Sequence, residues 1–166
     1  MAPLTRTNTT VLLVCEGYAE VEWVRVIRDL YLPRGCGVSL RSENRRGFGG
    51  SAALTLAVQR RREGDYDRVG VVVDTDQLWG DAERQKAIEH EIAAIECIPC
   101  IEAMLLSVDG RRTHARTADN KDAFELAYGA TAHRPGVIQR HFSRNKFDAA
   151  RGRVLAVDRC LKLLDC

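Results

Sequence analysis

Residues 69–76 read Val-Gly-Val-Val-Val-Asp-Thr-Asp: four valines and a glycine without a charge, then two acids one residue apart. An apolar run of strand length with no polar alternation is the pattern of a strand covered on both faces, as in parallel sheets. A second such run, Val-Leu-Leu-Val-Cys at residues 11–15, also ends on an acid, Glu16. Between the two, residues 20–31 set Val21, Val24, Ile27 and Tyr31 at helical spacing, and Pro33 and Gly35 stop that helix. Residues 37–40 read as another strand and residues 42–50 as a polar, glycine-rich loop. Ser51 reads as the cap of a helix carrying Leu54, Ala57 and Val58. Downstream, residues 81–90 read as a charged helix, and residues 92–98 as either a fourth strand or a continuation of that helix. Residues 101–108 follow Pro99 as a short buried helix. Residues 109–120 read as loop, 121–128 as helix, and 149–164 as a terminal helix with Val154, Val157, Leu161 and Leu164 on one face. This repetition predicts an α/β fold in three layers, with a central, mainly parallel sheet of about four strands between helices.

A chain of 166 residues fits one domain over 1–166, with residues 1–9 expected as a flexible N-terminal segment. Hydrophobic residues at 45% and charged residues at 29% exclude a disordered tail or a Gly/Pro-dominated fibre. No apolar run approaches the roughly 20 residues of a membrane helix, and the start lacks the apolar core of a secretory signal. A cytoplasmic protein is expected. The net charge of +2 conceals segregation: residues 65–109 are net −8, between segments of +4 and +6. That is either a set of solvated helix faces or an acidic patch walled by arginines, which would suit a cation bridging to a polyanion. Cys97 and Cys100 have zinc-like spacing, but no second close pair accompanies them. Scattered reduced thiols are therefore expected.

In open α/β sheets, ligands bind beyond the carboxyl ends of the strands. There the first strand is followed by Glu16-Gly17 and then Glu20, and the third by Asp74-Thr75-Asp76. Crowded carboxylates repel unless they share a proton or a cation. Magnesium needs only two or three acids because it keeps several waters. Acids at strand ends also serve as helix caps. Glu102, amid apolar residues in Cys-Ile-Pro-Cys-Ile-Glu-Ala-Met-Leu-Leu (97–106), is either a buried ligand or an exposed first-turn acid favoured by the helix dipole.

VLLVCEGYAE, then VVVDTDQLW, then IPCIEAMLL resembles the TOPRIM domain shared by primases, topoisomerases and OLD-family nucleases. The Pro-Cys-Ile-Glu element is most similar to the small RloB-type branch, implicated in restriction-linked or phage-defence systems. The resemblance implies a Mg²⁺- or Mn²⁺-dependent nuclease or phosphodiester-processing protein. It implies metal ligands at Asp74 and Asp76, an acid–base and metal role for Glu16, and further acids at Glu20 and Glu102. It also implies a late catalytic basic residue, carried over to Lys146, and a possible partner ATPase. Ile101 and Met104 stand where that branch has aromatics.

Nucleic acid, DNA or RNA, is the expected partner. Arg45 and Arg46, in a loop before a helix start, form either a phosphate cradle or a plain surface loop. Arg111, Arg112 and Arg144 are candidates for a backbone track. Two other functions compete. A catalytically silent TOPRIM module would bind nucleic acid or an ATPase, and a receiver-like phosphotransfer domain would accept phosphate on Asp74.

Overall fold

The structure is a computed structural model that describes residues 8–165. Four strands, β1 (Thr9–Cys15), β2 (Val38–Asn44), β3 (Arg68–Asp74) and β4 (Ile92–Cys97), form one parallel sheet in the order β2-β1-β3-β4. The α/β expectation and the strand count hold.

Helix α1 (Tyr18–Tyr31) links β1 to β2, α2 (Gly50–Glu63) links β2 to β3, and α3 (Asp81–Glu89) links β3 to β4. The chain moves outward from β1 to β2, then crosses back over β1 to β3. Right-handed crossovers must therefore place α1 on one face of the sheet and α2 and α3 on the other. Packing follows this division. Leu12, Val14, Val69, Val71 and Val73 meet Ala53, Leu54, Ala57 and Val58 of α2 and Ala87 of α3. Val11, Leu13, Cys15, Val72, Ile95 and Cys97 face the other way, into a larger core. That core holds α1, α4 (Ile101–Val108), α5 (Thr117–Tyr128), α6 (Val137–His141), α7 (Arg144–Ala150) and α8 (Leu155–Leu163). Strands with both faces buried explain the unbroken valine runs.

Several boundaries differ from the expectation. Strand β1 begins at Thr9, inside the segment expected to be flexible, because Thr10 donates through its N–H and hydroxyl to Asp67 Oδ2 at 2.7 and 3.0 Å. Residues 1–7 of that segment lie outside the described residues. Strand β2 continues through Ser42, Glu43 and Asn44, paired with Leu13, Val14 and Cys15. Being an edge strand, it carries polar residues there that hydropathy reads as loop. Residues 92–97 are strand. Helix α2 is capped by Gly49, which leaves Ser51 inside the first turn. Helix α5 begins at Thr117 because buried Asn120 bonds both the N–H and the carbonyl of His114, which orders a polar stretch. The terminal helix is two helices. Arg153 in the break donates to Ser107 O and Val108 O, satisfying carbonyls at the end of α4.

Gly70 of β3 is a point of close approach. A Cβ there would lie 2.9 Å from Leu13 Cδ2 and 3.0 Å from both Ala93 O and Leu163 Cδ2. The backbone oxygen cannot yield without shifting β4. Gly70→Ala is expected to destabilise by about 1–3 kcal/mol, the usual range for overpacking. Urea unfolding measures it, and an unchanged midpoint would show that β4 and α8 have slack.

Candidate metal centre

Between β1 and β3 the chain reverses its direction across the sheet, and this is where open α/β sheets form a crevice. The acids that end these strands converge there. Glu16 accepts a hydrogen bond at Oε2 from the Asp74 N–H, 3.1 Å away, which bridges the seam between the strands. Glu20, in the first turn of α1, is only 4% exposed. Its carboxyl folds back over Gly17, where a Cβ would stand 3.1 Å from Glu20 Oε2.

Asp74 accepts at Oδ1 from the Ile101 N–H at 2.9 Å, at the N-terminus of α4. Thr75 N donates to both Cys97 O and Pro99 O, at 3.1 and 3.0 Å, tying the β3 exit to the β4 exit. The start of α4 is thereby held against Asp74. Glu102, the second residue of α4, is 6% exposed, and its Oε2 has no hydrogen-bond partner. The exposed alternative for Glu102 is thus overturned.

Glu16, Glu20, Asp74 and Glu102 line one cleft of about 310 Å³, with Gly47, Lys121 and His133 among its other walls. Burial drives the acids toward their protonated forms. Asp74 is pushed far above the usual carboxylate range by burial first, then by Glu20, Glu16, Glu102 and Asp76. Glu20 is raised to about 7, again chiefly by burial; Glu16 and Glu102 add to the rise, and a hydrogen bond with Asp74 opposes it. Glu16 is raised by burial, against the Asp74 N–H and Lys121. Burial and mutual repulsion thus favour the protonated forms of Glu20 and Asp74.

The donor set suits a hard divalent cation. It is all oxygen, it is anionic once deprotonated, and one of its oxygens is buried without a partner. Its present spacing does not suit one. Among the described residues, no three His, Cys, Asp or Glu side chains stand close enough together to hold a metal ion.

The other expected residues are dispersed. Asp76 accepts at Oδ2 from the Thr117 hydroxyl at 2.6 Å, which turns it toward α5 and off the cleft wall. Lys146 donates to Asp109 Oδ1 at 2.6 Å and to His141 O at 2.9 Å. Arg111 also binds Asp109, at 2.9 Å, and lies over the Tyr128 ring. Arg144 lies over the Tyr31 ring and pairs with Asp148. Arg112 is exposed and lines none of the cleft. Arg45 and Arg46 do flank the site. Their loop is pinned by Arg45 N to Cys15 O at 2.9 Å and by Gly47 N to Glu16 O at 2.7 Å. Lys121 and His133, which carry no motif, are cleft residues that sequence reasoning misses.

Cys15, Cys97, Cys100 and Cys160 are buried free thiols, and Cys36 is free and half-buried. Among the described residues, no helix is long and apolar enough to cross a membrane. Comparisons of the chain with protein-family models, with curated proteins and with solved structures return no match.

Proposed function

We propose that the chain is a TOPRIM-like, divalent-cation-dependent phosphodiester-processing protein, most simply a nuclease. The reading is carried by Glu102 Oε2, a buried carboxylate oxygen without a partner, facing three further acids in one cleft. Leaving such an oxygen unpaired is costly in a finished core and natural in a site that awaits a ligand. Glu20, Asp74 and Glu102 would hold Mg²⁺ or Mn²⁺ once their carboxylates draw closer than they now stand. When bound, the cation supplies Lewis-acid stabilisation of charge developing on a phosphoryl oxygen.

The protein's own groups do the rest. Glu16, fixed by the Asp74 N–H and shifted upward by burial, accepts or returns a proton at Oε1 or Oε2. Lys121 and the Arg45–Arg46 loop attract phosphate to a cleft whose own acids repel it. Asp76, bonded to Thr117, stays outside the immediate donor set unless that hydroxyl releases it. A phosphoacceptor role for Asp74 fits less well. Burial and four neighbouring acids favour the protonated form of Asp74, which makes it a poor nucleophile. A silent, binding-only module remains the second reading, favoured by the Asp76–Thr117 bond and the present carboxylate spacing.

Calorimetric titration with Mn²⁺ at pH 8 is the test. The native chain should bind, while Asp74→Asn and Glu102→Gln should each lose at least about tenfold in affinity, as loss of a ligand or its orientation commonly does. Circular dichroism confirms that the variants are folded. Equal Mn²⁺ affinity in all three proteins would reject the site. Binding by the native chain without Mg²⁺-dependent cleavage of labelled DNA or RNA would favour the silent module.

A further inference from the structure

A large apolar side chain is held out to solvent shortly after each of the four strands. They are Tyr18 after β1 (61% exposed), Phe48 after β2 (69%), Leu78 after β3 (64%) and Ile98 after β4 (67%). Single exposed apolar residues are ordinary. Four of them, one after each strand, stand at the carboxyl edge of the sheet, where the carboxylate cleft also opens. The other large exposed hydrophobics among the described residues lie within α3, α5 and α8.

The two aromatic members stand beside the acids. Tyr18 lines the cleft, and Phe48 directly follows Gly47, which lines it too. Cations alternate with them. The Arg45 guanidinium lies over the Phe48 ring, 5.8 Å from its centroid; Arg46 is exposed next to it, and Lys121 is on the cleft wall.

Exposed rings interleaved with cations match a polymer that alternates planar bases with phosphates. A duplex keeps its base faces stacked inside, whereas a single strand can lay them on a ring. A protein partner would instead favour a contiguous apolar patch with few charges at its centre. Here the cleft that Tyr18 lines is walled by carboxylates.

We propose that the cleft takes single-stranded nucleic acid. Unpaired bases stack on Tyr18 and Phe48, which draws the adjoining phosphodiester over Glu16, Asp74 and Glu102. The proposal rests on the phosphodiester reading above and adds its substrate class.

Fluorescence anisotropy tests it, with Ca²⁺ replacing Mg²⁺ to prevent cleavage. Three probes of equal length are compared: an oligothymidylate, the same strand with every base replaced by an abasic unit, and a duplex. The native chain should bind oligothymidylate at least about tenfold more tightly than either of the others. The Tyr18→Ala, Phe48→Ala double variant should lose about 30-fold or more on oligothymidylate alone. Its abasic-strand affinity and its log–log salt slope should not change, because phosphate contacts set those. Both side chains are more than half exposed, so the fold should tolerate their loss. Phe48→Trp should keep the affinity, with its indole fluorescence quenched on binding. Equal binding of all three probes, unaffected by the double variant, overturns the stacking proposal and leaves the phosphodiester reading standing. Failure of all three probes to bind at low salt overturns both.

Discussion

Replacing Glu20 by Gln and Asp74 by Asn together should stabilise the metal-free protein at pH 8 and abolish its response to divalent cations. The sign follows from the direction of the shifts. An acid whose value is raised in the folded state contributes stability that is fully present below its unfolded value and is lost as pH rises through its folded value. For Glu20 that window runs from about 4.5 to about 7, and Asp74 extends the loss to higher pH. A rise from 4.5 to about 7 in a side chain that is 4% exposed corresponds to on the order of 3 kcal/mol. For a chain of this size that is roughly 6–12 °C in melting temperature.

The metal-free native chain should therefore melt progressively lower as pH is raised from 5 to 8, and the double variant should be nearly flat. Mg²⁺ should restore the native chain most at pH 8, where the proton it replaces is least available. Asp109 acts in the opposite direction. Lys146, Arg111 and Tyr128 lower it to about 2, so its contribution is lost only as pH falls below about 3.8, outside this window. Scanning calorimetry across pH with and without Mg²⁺ settles the matter. A native melting temperature that does not vary from pH 5 to 8 would mean that the four acids are hydrated rather than buried.

The parallel sheet and the acids at its carboxyl edge were legible because both rest on strong local signals. Buried strands must be apolar throughout, and charges directly after them are conspicuous. Glu16, Glu20, Asp74 and Glu102 all reach the cleft, including Glu102, whose burial no periodicity could decide. The basic residues were less legible. Lys146, Arg111 and Arg144 are followed by no local signal that says which acid or ring they will meet, and each finds a partner away from the cleft. Lys121 reaches the cleft only because α5 starts at Thr117, four residues before the expected start, through side-chain bonds from Asn120. Asp76 shows the same limit. Its partner Thr117 is 41 residues away, and nothing near the acid pair forecasts it.

Glu16 and Lys146, both expected from sequence to serve catalysis, should separate completely on substitution. Gln at position 16 keeps the size of the side chain and an oxygen for the Asp74 N–H, but it cannot exchange a proton. Turnover of a labelled strand should fall by about 10²–10⁴-fold, the usual worth of a positioned general acid or base, with melting temperature and Mn²⁺ affinity little changed. Lys146 sits at the opposite end of α4. That helix spans Ile101–Val108, Glu102 lies in its first turn, and Lys146 binds Asp109 just past its last. At about 1.5 Å per residue the two ends are on the order of 10 Å apart. Lys146→Met leaves Asp109, 15% exposed, with only Arg111 and Tyr128. A loss of about 1–3 kcal/mol in stability is expected, the cost of stripping a partner from a mostly buried charge. That loss should shrink as pH falls toward 2, where Asp109 takes up its proton. Turnover per folded molecule should stay within about twofold of native. If Lys146→Met instead abolishes turnover in a protein that melts normally, the reacting phosphate lies near the Asp109 end of α4, and the carboxylate cleft is not where the chemistry occurs.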